Sequence, residues 1–303
     1  MFSLHLAAIA ISLGNQPQCE NVTLEQFYRS AVSETRLVNE NYNDYLDNLP
    51  LSSLPIDERK RLINDIYSCF LANTDRDDFK AIDSNALHNY YVLLSSAYST
   101  TKNEGLIKTI VFILDEKRRR NERIKNLADN ARELAVQARD IEAVHEIETR
   151  FNLDRYNIEF EPAEEPTEYT YYQINKNVAQ PISYDFSEED IIVVSSPYCN
   201  PSKRFIDWYK SEGRDGVLKG KRVFFLIPQD VPITSDTSMY ANLEYGFSYK
   251  DELWEGIRYW ATPTFYYWKD GMLLNALDGW RKGEGEEKVD KLLAPDAPKD
   301  VID

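Results

Sequence analysis

Residues 191–205 read Ile-Ile-Val-Val-Ser-Ser-Pro-Tyr-Cys-Asn-Pro-Ser-Lys-Arg-Phe and join two segments of different periodicity. The β-branched residues that open the stretch are typical of a buried strand, which we expect over Asp190–Ser195. The sequence from Pro201 to Glu212 predicts a helix. Cys199 therefore stands at a strand-to-helix junction, where the unpaired N–H groups and the dipole of the helix favour a thiolate over a thiol.

The segments around this junction predict an α/β unit. Helical spacing predicts helices around Tyr240–Tyr259 and over Glu284–Leu293. Lys269-Asp270-Gly271 predicts a hairpin turn between the last two strands, which are then antiparallel. The other predicted strands are Tyr169–Ile174, Arg222–Ile227, Thr264–Trp268 and Met272–Leu277. The predicted order is β, β, α, β, α, β, β, α.

The junction resembles the active site of the thioredoxin superfamily, in which an aromatic residue followed by Cys-x-x-Cys stands between a strand and a helix. Tyr198 stands at the aromatic position. Pro201 matches the proline of Cys-Gly-Pro-Cys, and Lys203 matches the lysine that usually follows.

A second motif, Ala261-Thr262-Pro263-Thr264-Phe265, is similar to the cis-proline loop of the same family. A strand, Asp270-Gly271, another strand and Gly279-Trp280 follow it, as in the family's terminal hairpin. The two motifs occur in the expected order, and the resemblance covers about residues 165–295.

The resemblance implies a thioredoxin-like domain, with a central mixed sheet flanked by helices and with Cys199 as nucleophile. It also implies that the Thr262–Pro263 peptide bond is cis and lies against Cys199. In such sites the backbone of the residue before the proline pairs with an extended peptide. We therefore expect Tyr198, Thr262 and Pro263 to bind substrate.

The sequence departs from the family at the second cysteine of the motif, which is Ser202. A hydroxyl can donate a hydrogen bond to the Cys199 thiolate, but it cannot attack a mixed disulfide, so the dithiol cycle is absent. We assign Cys199 and Ser202 as the catalytic pair. Val193 occupies the position of the buried, proton-relaying aspartate of thioredoxins, and the first family helix is not evident between Asn175 and Asp190.

Other catalytic classes find less support in the sequence. The histidines are His5, His88 and His145, so Cys199 has no local partner for a Cys-His dyad or a Cys/His metal site. The chain carries no phosphate loop, Rossmann fingerprint or hydrolase elbow. We therefore expect no metal and no cofactor.

The first half of the chain has helical periodicity from Val22 to about Arg150, which predicts antiparallel helices in a bundle or short array. The basic run Lys117–Lys125 is interleaved with Glu116 and Glu122, which favours a solvated helix face over a site for an acidic partner. The apolar stripes include Leu24, Phe27, Tyr28 and Ala31; Ile63, Ile66, Tyr67 and Phe70; Leu87, Tyr90, Tyr91 and Leu94; and Ile107, Ile110, Val111 and Leu114.

The composition becomes acidic and proline-rich between Asn157 and Thr167, which disfavours a continuing helix. We place a domain boundary there. The predicted fold class is α+β: an all-α domain over 15–156, a linker over 157–168, a thioredoxin-like α/β domain over 169–295 and a tail over 296–303.

The N-terminus carries an uncharged apolar run, Phe2–Gly14, that is too short to span a bilayer. Its small residues Ser12 and Gly14 and the polar residues after it favour a signal peptide over 1–14, although it lacks Lys and Arg. The alternative is a buried first helix. We predict a periplasmic or secreted protein with no stable membrane span.

An oxidising compartment would allow a disulfide between Cys19 and Cys69. The alternative is that Cys69, which lies between Ile66 and Phe70 on an apolar stripe, is a buried free thiol.

The chain carries 35 basic and 51 acidic residues, a net charge of −16, which opposes binding to nucleic acid or anionic lipid.

The predicted function is single-cysteine thiol–disulfide exchange, isomerase-like or trapping, on proteins or peptides that contain cysteines, with a small thiol as resolving agent. The alternative is a non-catalytic module that binds partners through the groove and the helical domain. Glutathione or cluster binding is less favoured, because monothiol glutaredoxins carry Cys-Gly-Phe-Ser.

Overall fold

The computed structural model describes residues 60–61, 63–65, 67, 76–162, 167–233, 237–281 and 283–294. These residues form two compact units, and the chain passes from the first to the second between Ala131 and Arg132. This division lies before the predicted linker 157–168, because the chain from Arg132 onward packs with the sheet of the second unit. Glu159 and Phe160, inside the predicted linker, form a short strand. The predicted signal peptide, Cys19 and Cys69 lie outside the described residues.

The first unit is helical, as predicted. Its helices are α1 (Arg76–Ala81), α2 (Ser84–Thr101) and α3 (Glu104–Arg119), and α4 (Lys125–Ala138) crosses the division. Asp83 caps α2 by accepting hydrogen bonds from two backbone N–H groups, and Asn103 caps α3 in the same way through one. The predicted stripes of α2 and α3 are buried: Leu87, Tyr90, Tyr91, Leu94, Ile107, Ile110, Val111 and Leu114.

The basic run at the end of α3 is largely solvated, as its charge pattern predicted, because Arg118, Arg119, Arg123 and Lys125 are exposed. The exceptions are Lys117, which is buried, and Arg120, which is half-buried. The Glu116 carboxylate is 2% exposed and accepts hydrogen bonds from Arg119 and Arg120. The hydrogen bond from Arg119 is the main cause that lowers the pKa of Glu116, to about 2. Arg120 also donates to the Ile82 carbonyl at 2.8 Å, and Lys117 is buried against Glu122. Part of this solvated run, Lys117, Arg119 and Arg120, therefore also forms an ion-pair network within the first unit.

The second unit is built on one eight-stranded mixed sheet. The strands are β1 (Glu159–Phe160), β2 (Thr170–Asn175), β3 (Val178–Ser183), β4 (Glu189–Val194), β5 (Arg222–Ile227), β6 (Glu244–Ser248), β7 (Thr264–Lys269) and β8 (Met272–Asp278). Their order in the sheet is β1-β3-β2-β6-β5-β4-β7-β8, and β4 lies between parallel β5 and antiparallel β7. Helix α5 (Ile141–Phe151) precedes the sheet in the chain.

Strand β6 replaces the helix predicted around Tyr240–Tyr259. Short 3₁₀ turns flank the strand, at Ser238–Tyr240 and Asp251–Leu253. A Cβ at Gly246 would lie 2.0 Å from the Tyr171 ring on β2, so glycine is what allows this strand to pair closely with its neighbour. Strand β3 was not predicted either, and it forms a hairpin with β2.

Two helices complete the unit, α6 (Asn200–Trp208), which continues as a π-helical turn to Gly213, and α7 (Glu286–Leu293). Alternate residues of β4 enter two cores: Ile191 and Val193 pack with side chains of α6 and α7, whereas Ile192 and Val194 pack with an aromatic cluster that includes Trp254. A helical unit followed by a mixed sheet with flanking helices is the predicted α+β fold class. None of the described helices is both long and apolar enough to cross a membrane.

Candidate active site around Cys199

Cys199 is the N-cap of α6, at the carboxyl end of the central strand β4. Its backbone is extended, with φ −98° and ψ 115°, and Pro201 stands in the first turn of the helix, where a missing N–H costs no intrahelical bond. The loop that leads to it is held by local hydrogen bonds: the Cys199 N–H donates to the Ser196 carbonyl at 3.1 Å, and the Tyr198 N–H donates to Ser196 Oγ at 3.3 Å. The loop therefore fixes the position of the thiol.

The second predicted motif lies against this thiol. The Thr262–Pro263 peptide bond is cis, and Cys199 Sγ donates a hydrogen bond to the Thr262 carbonyl at 2.9 Å. The sheet accounts for this proximity, because β4 and β7 are adjacent and Val194 is paired with Thr264. The predicted cis bond and its position beside Cys199 are both confirmed.

The pKa of Cys199 lies below its ordinary value of 9.0. Burial, the largest influence, raises the pKa of this half-buried thiol, but several stabilising groups together outweigh it. Hydrogen bonds from the Thr262 side chain and from the backbone and hydroxyl of Ser202 lower the pKa, and the Arg204 charge lowers it further. These groups favour the thiolate, which is the nucleophilic form of cysteine.

Ser202 is fully buried in the first turn of α6. Its Oγ accepts a hydrogen bond from the Ser196 N–H at 3.4 Å, so the hydroxyl is held between the loop and the sulfur. It supports the thiolate but supplies no second sulfur.

A buried hydroxyl pair lies behind the loop. Ser195 Oγ and Tyr240 Oη are 3.1 Å apart, and both residues are fully buried. Burial raises the pKa of Tyr240, and the negative charge of the Cys199 thiolate raises it further, so the two groups are within electrostatic range. Tyr240 was not predicted as a site residue, because it falls inside the wrongly predicted helix. Val193, at the aspartate position of thioredoxins, is wholly in the core.

The rim of the site is aromatic on one side. Tyr198 is 71% exposed beside Cys199. Tyr156 donates a hydrogen bond to the Ile233 carbonyl at 2.6 Å, and burial raises its pKa to about 12 with a smaller contribution from Tyr198. Tyr156, which the sequence placed at the end of the helical domain, packs against the core of the second unit.

Neither described histidine belongs to this site: His88 is on α2, and His145 on α5 is paired with Glu148. In the described part of the chain, no group of three or more His, Cys, Asp and Glu side chains is arranged to hold a metal ion.

No family model and no curated protein matches the chain. Among solved structures, the chain is similar to a thioredoxin-like protein from Bacteroides caccae, at 12% identity and a TM-score of 0.25. The match covers 91% of this chain and 94% of the other.

Proposed function

We propose that this protein is an exported, thioredoxin-like protein that carries out thiol–disulfide exchange on protein substrates with the single cysteine Cys199. One observation carries the proposal: Cys199 is the N-cap residue of α6, its side chain is partly exposed, and its pKa is lowered there. A partly exposed thiolate at a helix start is the arrangement that makes a cysteine reactive.

The reaction is a two-electron exchange. The Cys199 thiolate attacks one sulfur of a substrate disulfide, the S–S bond breaks, and the other substrate sulfur leaves as a thiolate that takes a proton from solvent. Cys199 is thereby oxidised into a mixed disulfide, and one substrate sulfur is reduced. Because Ser202 cannot attack this disulfide, release requires a second substrate thiol or an external small thiol.

Substrate binding is proposed for Tyr198, Thr262 and Pro263. An extended peptide would pair with the backbone of Thr262, which places the disulfide over Cys199. The exposed Tyr198 ring would contact the peptide on the other side of the sulfur.

The alkylation rate of Cys199 as a function of pH tests this proposal. The protein is prepared with Cys19→Ser and Cys69→Ser, so that only Cys199 reacts, and iodoacetamide is the probe. We expect a midpoint clearly below that of an unfolded control in denaturant. An ordinary midpoint, near 8.5, would leave the exchange mechanism without support.

The second candidate is a non-catalytic binding module, which the exposure of Tyr198 favours, since a 71% exposed aromatic ring is suited to contact a partner. This candidate predicts that partner binding is unchanged in Cys199→Ser and lost in Tyr198→Ala. The exchange mechanism predicts that covalent capture requires Cys199.

Export is proposed from the apolar run Phe2–Gly14. Mass spectrometry of the protein from the exported fraction is expected to show a chain that lacks these residues. Finding Phe2 on the exported protein would contradict the signal-peptide assignment.

A further inference from the structure

Two exposed cations stand beside Cys199 on α6. Lys203 and Arg204 follow Cys199 by four and five residues, and the Lys203 N–H donates to the Cys199 carbonyl at 3.0 Å. Residues four apart share a helix face, so the Lys203 side chain starts on the same face as the thiol. Arg204 donates to the Trp280 carbonyl at 3.2 Å, which holds its guanidinium on the same rim.

Neither cation is neutralised. Across the described residues, no carboxylate lies within ion-pair distance of Lys203 or Arg204, and the Arg204 hydrogen bond goes to an uncharged carbonyl. Three other cations of the second unit are paired: Lys221 with Glu189, Arg222 with Glu244 and Lys291 with Glu287. Arg214 and Lys219, like Lys203 and Arg204, are exposed and have no carboxylate within ion-pair distance among the described residues. Asp207 follows Lys203 by four residues and Arg204 by three on α6, but its carboxylate forms no ion pair with either cation.

The positive charges of Lys203 and Arg204 contrast with the negative net charge of the chain. The chain carries a net charge of −16, so an acidic substrate is repelled by most of its surface. Lys203 and Arg204 differ from the other exposed, unpaired cations of the unit in their position, because they lie beside the reactive sulfur.

We propose that Lys203 and Arg204 select anionic disulfides, those whose sulfurs are flanked by carboxylates. This inference rests on the exchange function proposed above and names its substrate class. A carboxylate next to the attacked sulfur is drawn towards the two cations. The thiolate that leaves when the S–S bond breaks develops its negative charge in the same field.

Two kinds of substrate are anionic disulfides. One is a peptide with acidic residues beside its disulfide, and the other is a small disulfide that itself carries carboxylates. The test therefore has two arms, both in the Cys19→Ser, Cys69→Ser background. The peptide arm compares two disulfide-bonded peptides that differ only in Asp or Lys beside each cysteine. The small-molecule arm compares dithiobis(nitrobenzoate), a dianion, with cystamine, a dication. Neutral dithiodipyridine gives the intrinsic reactivity of Cys199. Every rate is divided by the rate of the same probe with the unfolded protein in denaturant, which removes the differences in leaving-group pKa between the probes.

We expect the acidic peptide to react about tenfold faster than the basic peptide at low ionic strength, because charges this close are weakly screened there. In the double variant Lys203→Glu, Arg204→Glu, we expect the basic peptide to react faster than the acidic peptide. At ~1 M salt, where the Debye length is about 3 Å, the preference should vanish.

The matched control is the double variant Arg214→Glu, Lys219→Glu, which changes the net charge by the same amount at exposed residues at the opposite end of the sheet. It should keep the wild-type preference.

The outcomes separate the two proposals. Faster reaction of the anionic probe in both arms supports selection of disulfides flanked by carboxylates. Faster reaction in one arm alone also supports this selection and shows whether the substrate is a peptide or a small disulfide. Equal normalised rates for all charged probes, or a control variant that behaves like Lys203→Glu with Arg204→Glu, would overturn the selection while leaving exchange intact. Failure of Cys199 to react even with dithiodipyridine would overturn the exchange function itself.

Discussion

Ser202 occupies the position at which a second sulfur would complete a dithiol site. Its hydroxyl is fully buried, and both its backbone and its side chain lower the pKa of Cys199. The residue therefore retains one of the two roles of a cysteine at this position, support of the thiolate, and has lost the other, attack on a mixed disulfide.

Ser202→Ala tests the retained role. Removing the hydroxyl takes away one hydrogen bond to the thiolate, so the pKa of Cys199 should rise towards 9.0 while its exposure stays the same. The pH dependence of alkylation measures this shift. Ser211→Ala, an exposed serine one turn beyond α6, is the control and should leave the profile unchanged. An unchanged profile in Ser202→Ala would show that the hydroxyl does not act on the sulfur.

The lowered pKa of Cys199 also predicts a pH-dependent stability. Since the folded pKa lies below 9.0, the folded protein favours the thiolate, and this stabilisation is fully present above the unfolded pKa. It is lost as the pH falls through the folded pKa. The free energy of unfolding of wild type relative to Cys199→Ser should therefore decrease from about pH 9 downward. Urea titrations under reducing conditions measure this difference, and a pH-independent difference would contradict the shift.

The part of the site that lies in continuous motifs could be predicted from sequence. Cys199, Thr262 and Pro263 each stand in a recognisable local pattern, and the sheet then brings the two patterns together. Tyr240 could not be predicted, because its contact with Ser195 joins residues 45 positions apart and nothing distinguishes it from the other tyrosines among the 20 in the chain.

At the scale of elements, long apolar runs were predicted well and short strands were not. The run over Arg222–Ile227 forms β5 with the predicted bounds, because its residues are buried on both faces of the sheet. Strand β6 has five residues, of which Gly246 has no side chain to contribute to a pattern. Its identity is determined by partners distant in sequence, β2 and β5.

Gly246→Ala tests this explanation of β6. A Cβ there would lie 2.0 Å from the Tyr171 ring, so we expect a loss of about 1–3 kcal/mol in the free energy of unfolding. Urea unfolding followed by tryptophan fluorescence is the measurement. In a Tyr171→Val background the same change should cost much less, because the obstructing ring is gone. Equal costs in the two backgrounds would show that the close approach of Tyr171 is not the cause.

At the scale of the whole molecule, the second unit includes more than the sheet. Arg139 follows α4, is 5% exposed and donates to the Ser248 carbonyl at 3.1 and 3.2 Å and to the Val136 carbonyl at 2.9 Å. Burial lowers its pKa to about 10, so it remains charged at neutral pH. This buried guanidinium joins the end of α4 to β6, which explains why the unit begins before the predicted linker.

Arg139→Ala should destabilise the second unit by about 2–4 kcal/mol, because two buried carbonyls lose their donors. All five tryptophans lie in this unit, so their fluorescence during urea unfolding reports it selectively. Arg150→Ala, which breaks an exposed pair with Glu146, is the control and should cost about 0.5 kcal/mol or less. A similar loss in both variants would contradict the role assigned to Arg139.

The domain boundary was the part of the whole-chain organisation that sequence could not locate. The proline-rich acidic segment 157–168 suggested a linker, but Glu159 and Phe160 pair with β3 there. The boundary depends on which helices pack with the sheet. Sequence does not show this packing, because a buried arginine such as Arg139 cannot be distinguished by its residue type from an arginine on a solvated helix face.

The central claim is that Cys199 attacks disulfides and that this site lacks only a resolving thiol. The most direct measurement is the population of Cys199-dependent mixed disulfides in the exported fraction, on non-reducing gels after thiols are blocked at lysis. Wild type should accumulate adducts, Cys199→Ser should lose them, and Ser202→Cys should clear them by internal attack and gain dithiol oxidoreductase activity. Absence of Cys199-dependent adducts in wild type under oxidising conditions would contradict the claim.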